Sequence, residues 1–117
     1  MPGSKNDLRE QTIEFAIAVS DACSEITGVC VYVNQLIRCS SSIGANVHEA
    51  RYAQSRLDFI SKMEIALKET SETEYRMELI YRKHKFSEEQ HPILKNQCGS
   101  IHRKLIASVT TAKANKG

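Results

Sequence analysis

The side chains best suited to chemistry sit in "QLIRCSSSIGANVHEARYAQSRLDF", residues 35–59, where Ser40, Ser41 and Ser42 are followed by His48. A hydroxyl nucleophile needs a base within hydrogen-bond reach. Ser41 and His48 are two helical turns apart, about 10.5 Å along a helix axis, which is too far. His84, His91 and His102 have no serine or cysteine at a matching interval. Cys98 and His102 are four residues apart and could offer two ligands to a metal, but two ligands do not make a zinc site. Glu49 with Glu74 could echo a carboxylate bundle site, yet di-iron bundles use two Glu-x-x-His motifs. Only Glu88 to His91 has that spacing, beside Pro92 and without a second copy. No Gly-rich phosphate loop or dinucleotide fingerprint is present. The expectation is a protein with no catalytic residue, no metal and no cofactor. Cys23, Cys30, Cys39 and Cys98 form no CxxC pair, and Cys23, Cys39 and Cys98 fall on or beside apolar stripes, where a free thiol acts as a small hydrophobe.

Four segments position these side chains. Leu8, Thr12, Phe15, Val19, Ala22/Cys23 and Ile26 recur at intervals of three and four, as do Val29, Tyr32/Val33, Leu36, Ser40, Ile43, Val47 and Ala50. Phe59, Met63, Leu67, Thr70, Glu74, Met77 and Tyr81 repeat the pattern, and so do Leu94, Cys98, Ile101, Leu105, Ser108 and Ala112. This period predicts helices over about 5–27, 29–55, 57–84 and 88–113. Gly28 supplies a stop, Ser87 with Glu88 and Glu89 an N-cap, and Pro92 a tolerated proline near a helix start. Four such helices with short connections make an all-α, antiparallel up-down-up-down four-helix bundle, a single domain over residues 1–117. The two ends, residues 1–5 and 113–117, are expected to fray. Within the second helix, Ser40, Ser41, Ser42, Gly44 and Ala45 are small, and a helical glycine costs about 1 kcal/mol relative to alanine. That cost is reasonable if a neighbouring helix lies tight against it. Asn46 and Glu49 share a side of the same helix, and Asp58, Lys62 and Glu64 are candidate partners across the hairpin. The expectation is a structural polar network of Asn46, Glu49, Asp58 and Lys62.

The chain lacks an apolar run long enough to span a bilayer and an export signal, so a cytoplasmic protein without a membrane partner is expected. Net charge is only +2, but residues 1–81 hold 8 Lys/Arg against 12 Asp/Glu, and residues 82–117 hold 8 against 2. The basic last third suits either nucleic acid or an acidic surface on another copy. Candidate phosphate contacts are Arg82, Lys83, Lys85, Lys95, Arg103 and Lys104, with Arg38, Arg51 and Arg56 added if subunits bring them together. Base stacking needs exposed aromatics, and the chain has no tryptophan and few Phe/Tyr, several on core stripes. Binding to RNA or DNA would then be dominated by phosphate and largely non-specific. A second apolar set, Ile13, Ile17, Ile37, Ile60, Ile65, Leu79, Ile106 and Val109, lies off the inward stripes and suggests burial against other copies.

Residues 35–74 carry a further signal. Gln35, Leu36, Arg38, Ser42, Ile43, Asn46, Val47 and Glu49, then Asp58, Phe59, Ala66, Leu67 and Glu72 or Glu74, follow a recognisable order. This stretch resembles the 23S ribosomal RNA intervening-sequence proteins, a bacterial four-helix-bundle family. Ala50 stands where that pattern has glycine, Lys68–Glu69 where it has glycine–serine, and "TGVCVYV" replaces a proline-containing turn. The chain is also similar to the accessory (variability determinant) proteins of diversity-generating retroelements. The first resemblance implies a small antiparallel bundle, in some members a pentameric ring, with a poorly defined role. The second implies a basic ring surface on nucleic acid and a reverse transcriptase partner. The combined expectation is a ring-like homo-oligomer, most simply a homopentamer, acting as a non-enzymatic nucleic-acid-binding accessory. The alternative is a protein-only scaffold.

Overall fold

The computed structural model describes residues 7–115, and these form four α-helices with no strand among the described residues. They are α1 (Leu8–Cys23), α2 (Cys30–Ala50), α3 (Arg56–Arg82) and α4 (Gln90–Ala114). Each packs on its neighbours in sequence, and α1 also packs on α4, enclosing one core.

Local chemistry sets the boundaries. Asp7 caps α1, its Oδ1 accepting from the Arg9 N–H at 2.9 Å. α1 ends at Cys23, four residues before the expected stop, and the chain turns through Gly28 at φ +88°, a conformation that favours glycine. α2 ends at Ala50, not near 55, because Ser55 starts α3 instead. The Ser55 Oγ accepts from the Asp58 N–H at 3.0 Å, and the Asp58 carboxylate accepts from the Gln54 N–H at 3.2 Å. α3 ends two residues before the expected 84. The Lys85 N–H reaches Ile80 O and the His84 N–H reaches Tyr81 O, with His84 at φ +62°, the hydrogen-bond pattern of a Schellman stop with histidine in the glycine position. Ahead of α4, the Ser87 Oγ accepts from the Gln90 N–H at 2.9 Å and Ser87 O accepts from the His91 N–H, so the serine caps as its sequence suggests. Lys113 and Ala114 are helical rather than frayed. The expected helical residues 5 and 6, and the ends at 1–5 and 116–117, lie outside the described residues.

The core is built on Phe15, Val19, Leu36, Ile43, Met77, Ile80, Ile101 and Leu105, all essentially inaccessible to water. Full burial of each large aliphatic or aromatic side chain stabilises the fold by about 1.5–3 kcal/mol. The α1 and α2 stripes are buried largely as their spacing indicates, with Leu8, Ile26, Val29 and Tyr32 only half-buried. On α3 the buried line is Ile60, Met63, Ala66, Thr70, Thr73, Met77 and Ile80, so Phe59, Leu67, Glu74 and Tyr81 move to the flank. Thr70 and Thr73 tolerate burial because each hydroxyl donates to a carbonyl a turn earlier, Ala66 O and Glu69 O, at 2.7 Å. On α4, Val109 takes the core place expected of Ser108. The second apolar set therefore divides. Ile60 and Val109 are core, Ile13, Ile37 and Leu79 are half-buried, and Ile17, Ile65 and Ile106 remain exposed.

Gly44 is where the small stretch of α2 meets α1. A Cβ there would stand 2.8 Å from the Thr12 Oγ1 and 3.1 Å from its Cβ. Ser40 and Ser41 bond back to Ile37 O and Arg38 O within the helix. This face is small because a neighbouring helix needs the room.

Cys23, Cys39 and Cys98 are buried, Cys30 is exposed, and all four thiols are free. Burial pushes the Cys98 thiol up to about 12 and the Cys23 thiol up to about 11, and raises Cys39 as well. Only the thiolate is an efficient nucleophile. In the native state a disulfide reagent at neutral pH should therefore react rapidly with Cys30 alone, and with all four thiols in denaturant. Fast native reaction of a second thiol would contradict this packing.

Candidate nucleic-acid interface

Several residues with catalytic potential make contacts with other groups. The Ser41 hydroxyl donates to its own helix, and the His48 Nδ1 accepts from the Arg9 Nε at 3.0 Å. The His102 Nδ1 lies 3.1 Å from Glu74, whereas the buried Cys98 thiol points to Thr70 O. Glu88 accepts from the Tyr81 hydroxyl at 2.7 Å, which raises the Tyr81 phenol above its usual range. His91 stacks on Tyr81 at 3.9 Å and lies 3.7 Å from Glu78. Among the described residues no group of three His, Cys, Asp or Glu side chains is arranged to hold a metal ion.

The expected polar network resolves into separate local contacts. Glu49 pairs with Lys62 at 3.1 Å between α2 and α3. The Asn46 amide donates to Ser42 O in its own helix, and Asp58 serves the start of α3. The stronger interhelical contact is Arg38, whose guanidinium lies 2.6 Å from Glu72 and 3.5 Å from Glu69. Hydrogen bonding to Glu72 raises the Arg38 pKa further above its ordinary value. Arg38 is thus occupied within the chain rather than held out for a phosphate.

The nine basic candidates do not form one patch. Arg82, Lys83 and Lys85 lie at the α3–α4 connection, while Arg51 and Arg56 flank the α2–α3 connection. α3 separates those ends by roughly 40 Å at the usual rise per residue. Lys95 and Arg103 are exposed along α4, and the Lys104 Nζ donates to the Gln11 side chain at 2.7 Å. Arg82 pairs with Glu78 at 2.7 Å, holding that carboxyl below the usual carboxylate range, and Arg51 lies 3.6 Å from Asp7.

Each end has a distinct character. At the α3–α4 end, Lys83 borders a shallow depression with Gly28, Val29, Cys30, Val31 and Tyr32. The Lys85 Nζ also lies close to Gly28. No side chain caps α2 there, and its first turn carries no acid, so the free N–H groups and the positive end of the helix dipole face the same space as the lysines. At the α2–α3 end the structure adds three residues that the sequence reading left out of the site, Arg9, His48 and Tyr52. The His48 and Tyr52 rings meet edge to face at 5.4 Å, and Arg9 holds the other side of His48. The sequence signal was the interleaving of arginine and tyrosine in "RYAQSR", residues 51–56.

The model of the 23S rRNA-intervening sequence protein family matches residues 4–107. The chain belongs to this family. It is also similar to the crystal structure of a protein of unknown function from the S23 ribosomal protein family of Bacteroides thetaiotaomicron. The two are 37% identical, superpose with a TM-score of 0.82, and align over 87% of this chain and 97% of that one. No curated protein matches the chain. Several side chains that carry the family pattern meet across α2 and α3. Arg38 binds Glu72, and Glu49 binds Lys62, a residue outside the pattern, so part of the pattern holds the hairpin together. Glu74, the other candidate for the pattern's last position, turns instead to His102 on α4.

Proposed function

We propose that this family member is a non-enzymatic, oligomeric accessory protein that contacts the phosphate backbone of RNA or DNA. The carrying observation is the α3–α4 end. Lys83 and Lys85 have no carboxylate within 4 Å among the described residues, and they share their surroundings with the uncapped start of α2. Lysine ammonium groups and free helix N–H groups both suit phosphate oxygens. The family's name, which refers to a 23S rRNA intervening sequence, is consistent with an RNA partner. A role beside a reverse transcriptase rests on the resemblance to retroelement accessory proteins alone.

The assembly we infer is a homo-oligomeric ring of antiparallel up-down-up-down bundles, most simply a pentamer. The antiparallel order is supported by Arg38–Glu72 and Glu49–Lys62, in which residue numbers rise along α2 and fall along α3. Oligomerisation is supported by exposed Ile17, Ile65 and Ile106. No helix among the described residues is long and apolar enough to cross a membrane. A second reading, the protein-only scaffold, is favoured by the exposed acids Glu10, Glu14, Asp21 and Glu25 on and just after α1. They could pair with Lys95 and Arg103 of another copy. Light scattering at micromolar concentration should report several chains per particle, and a monomer would end the ring. Submillimolar binding to structured RNA or duplex DNA at low salt is expected, and its absence would leave the scaffold.

A further inference from the structure

The α2–α3 end has the parts of a site for an unpaired nucleotide. Tyr52 is 73% exposed, yet its ring is seated edge-on against His48 and its backbone N–H is fixed to Glu49 O at 3.0 Å. One face of a held aromatic ring is thereby offered to solvent. Three guanidinium groups belong to this end, from Arg9, Arg51 and Arg56. Of the three, only Arg51 has a carboxylate within 4 Å among the described residues. The Asp7 carboxylate accepts from the Arg9 N–H and lies only loosely against Arg51, at 3.6 Å. Asp58 accepts from the Gln54 N–H at the start of α3. Glu49 is taken by Lys62. Arg9 donates to an imidazole nitrogen instead of a carboxylate, so its charge is not neutralised by that contact. No carboxylate lies within 4 Å of the Arg56 side chain among the described residues.

An ordered aromatic face at an end of the bundle that carries three guanidinium groups matches the chemistry of a single strand. Its base offers a π face and its phosphates offer charge. A paired duplex presents the phosphates but keeps its bases stacked within the helix. We propose that this end binds single-stranded nucleic acid, with a base stacked on Tyr52 and the flanking phosphates held by Arg9, Arg51 and Arg56. This deepens the nucleic-acid reading above and rests on it. It also adds a base contact to the phosphate-dominated binding expected from the sequence.

The test uses the full chain and fluorescently labelled oligonucleotides of about a dozen residues, the size range of single-strand sites. Single-stranded RNA, single-stranded DNA and duplex RNA are each titrated at low salt by anisotropy. Tyr52→Ala should weaken single-strand binding by roughly five- to a hundredfold, the span of one base–aromatic stack, and leave duplex binding within twofold. Tyr52→Phe should retain the wild-type affinity, because the ring and not the hydroxyl does the stacking. Arg56→Ala should weaken single-strand binding and reduce its dependence on salt. The chain has no tryptophan, so a single strand should quench tyrosine emission in the wild type and less in Tyr52→Ala. The inference is overturned if the wild type binds nucleic acid but Tyr52→Ala and Arg56→Ala bind the single strand as well as it does. It is equally overturned if Tyr52→Ala loses single-strand and duplex binding in parallel. No binding to any of the three probes would instead defeat the nucleic-acid reading itself, and this site with it.

Discussion

Replacing Gly44 with valine should destabilise the chain by about 1–3 kcal/mol, the usual cost of forcing extra carbon into a packed interior. The added Cβ would stand 2.8 Å from the Thr12 Oγ1 and 3.1 Å from the Thr12 Cβ, closer than van der Waals contact allows. Thr12 cannot easily yield, since it is buried and its hydroxyl donates to Arg9 O at 2.7 Å. Valine's two γ-methyls add to the crowding. Alanine is the finer probe because two terms of similar size oppose each other. It regains about 1 kcal/mol of helix propensity but meets the same threonine. A double-mutant cycle separates the two terms. Thr12→Ala removes the nearer contact, so Gly44→Ala should be more favourable in that background than in the wild type. A coupling of about 0.5–3 kcal/mol is expected for directly touching residues. Urea unfolding of the four proteins measures it. A coupling near zero would mean that α1 and α2 do not approach as closely as this packing requires.

That contact also marks how far the sequence could be read. Glycine inside an apolar period indicates that something stands close, and the period itself locates four helices and most of their inward residues. Two features were beyond it. The inward line of α3 keeps Met63, Thr70 and Met77 but exchanges Phe59, Leu67, Glu74 and Tyr81 for the adjacent Ile60, Ala66, Thr73 and Ile80. α3 packs on α2 along one flank and α4 along the other, so its buried stripe is broad. Sequence spacing cannot choose the centre of a broad stripe. Buried threonines deepen the ambiguity, because their hydroxyls are satisfied within the helix and do not read as apolar. Partner choice among charges was the second gap. Arg38, Arg82 and Arg51 have the same chemistry in the sequence as Lys83 and Arg56, yet the first three find carboxylates and the others do not. The Arg82–Glu78 pair is a spacing of four within α3, but the Arg38 and Arg51 pairs depend on how the helices are registered against each other, which no local motif encodes. The Arg9–His48–Tyr52 cluster was hidden for the same reason, since Arg9 and His48 meet only after α1 has folded onto α2.

Reversing both charges at the α3–α4 end, Lys83→Glu with Lys85→Glu, should weaken binding to duplex RNA or DNA by roughly a hundredfold or more at low salt. Each lysine is placed to neutralise one phosphate, and each such contact adds about 0.9 to the slope of log affinity against log salt on a duplex. Losing two contacts should flatten that slope by about two for every subunit engaged, while the glutamates add repulsion that salt would screen. In a ring the effect is multiplied, because each copy presents the same end to one ligand and the contacts act together. The folded state should be little affected. Both side chains are exposed, neither forms an ion pair among the described residues, and the turn between α3 and α4 is closed by backbone hydrogen bonds at His84 and Lys85. Circular dichroism and light scattering of the variant should therefore match the wild type, which separates lost binding from lost structure. Arg38→Ala supplies the contrast. Its guanidinium already serves Glu72 and Glu69, so its removal should alter thermal stability more than the salt slope. If reversing Lys83 and Lys85 leaves affinity and slope unchanged but dissociates the oligomer, the basic end meets another copy of the chain, and the protein-only scaffold is the correct reading.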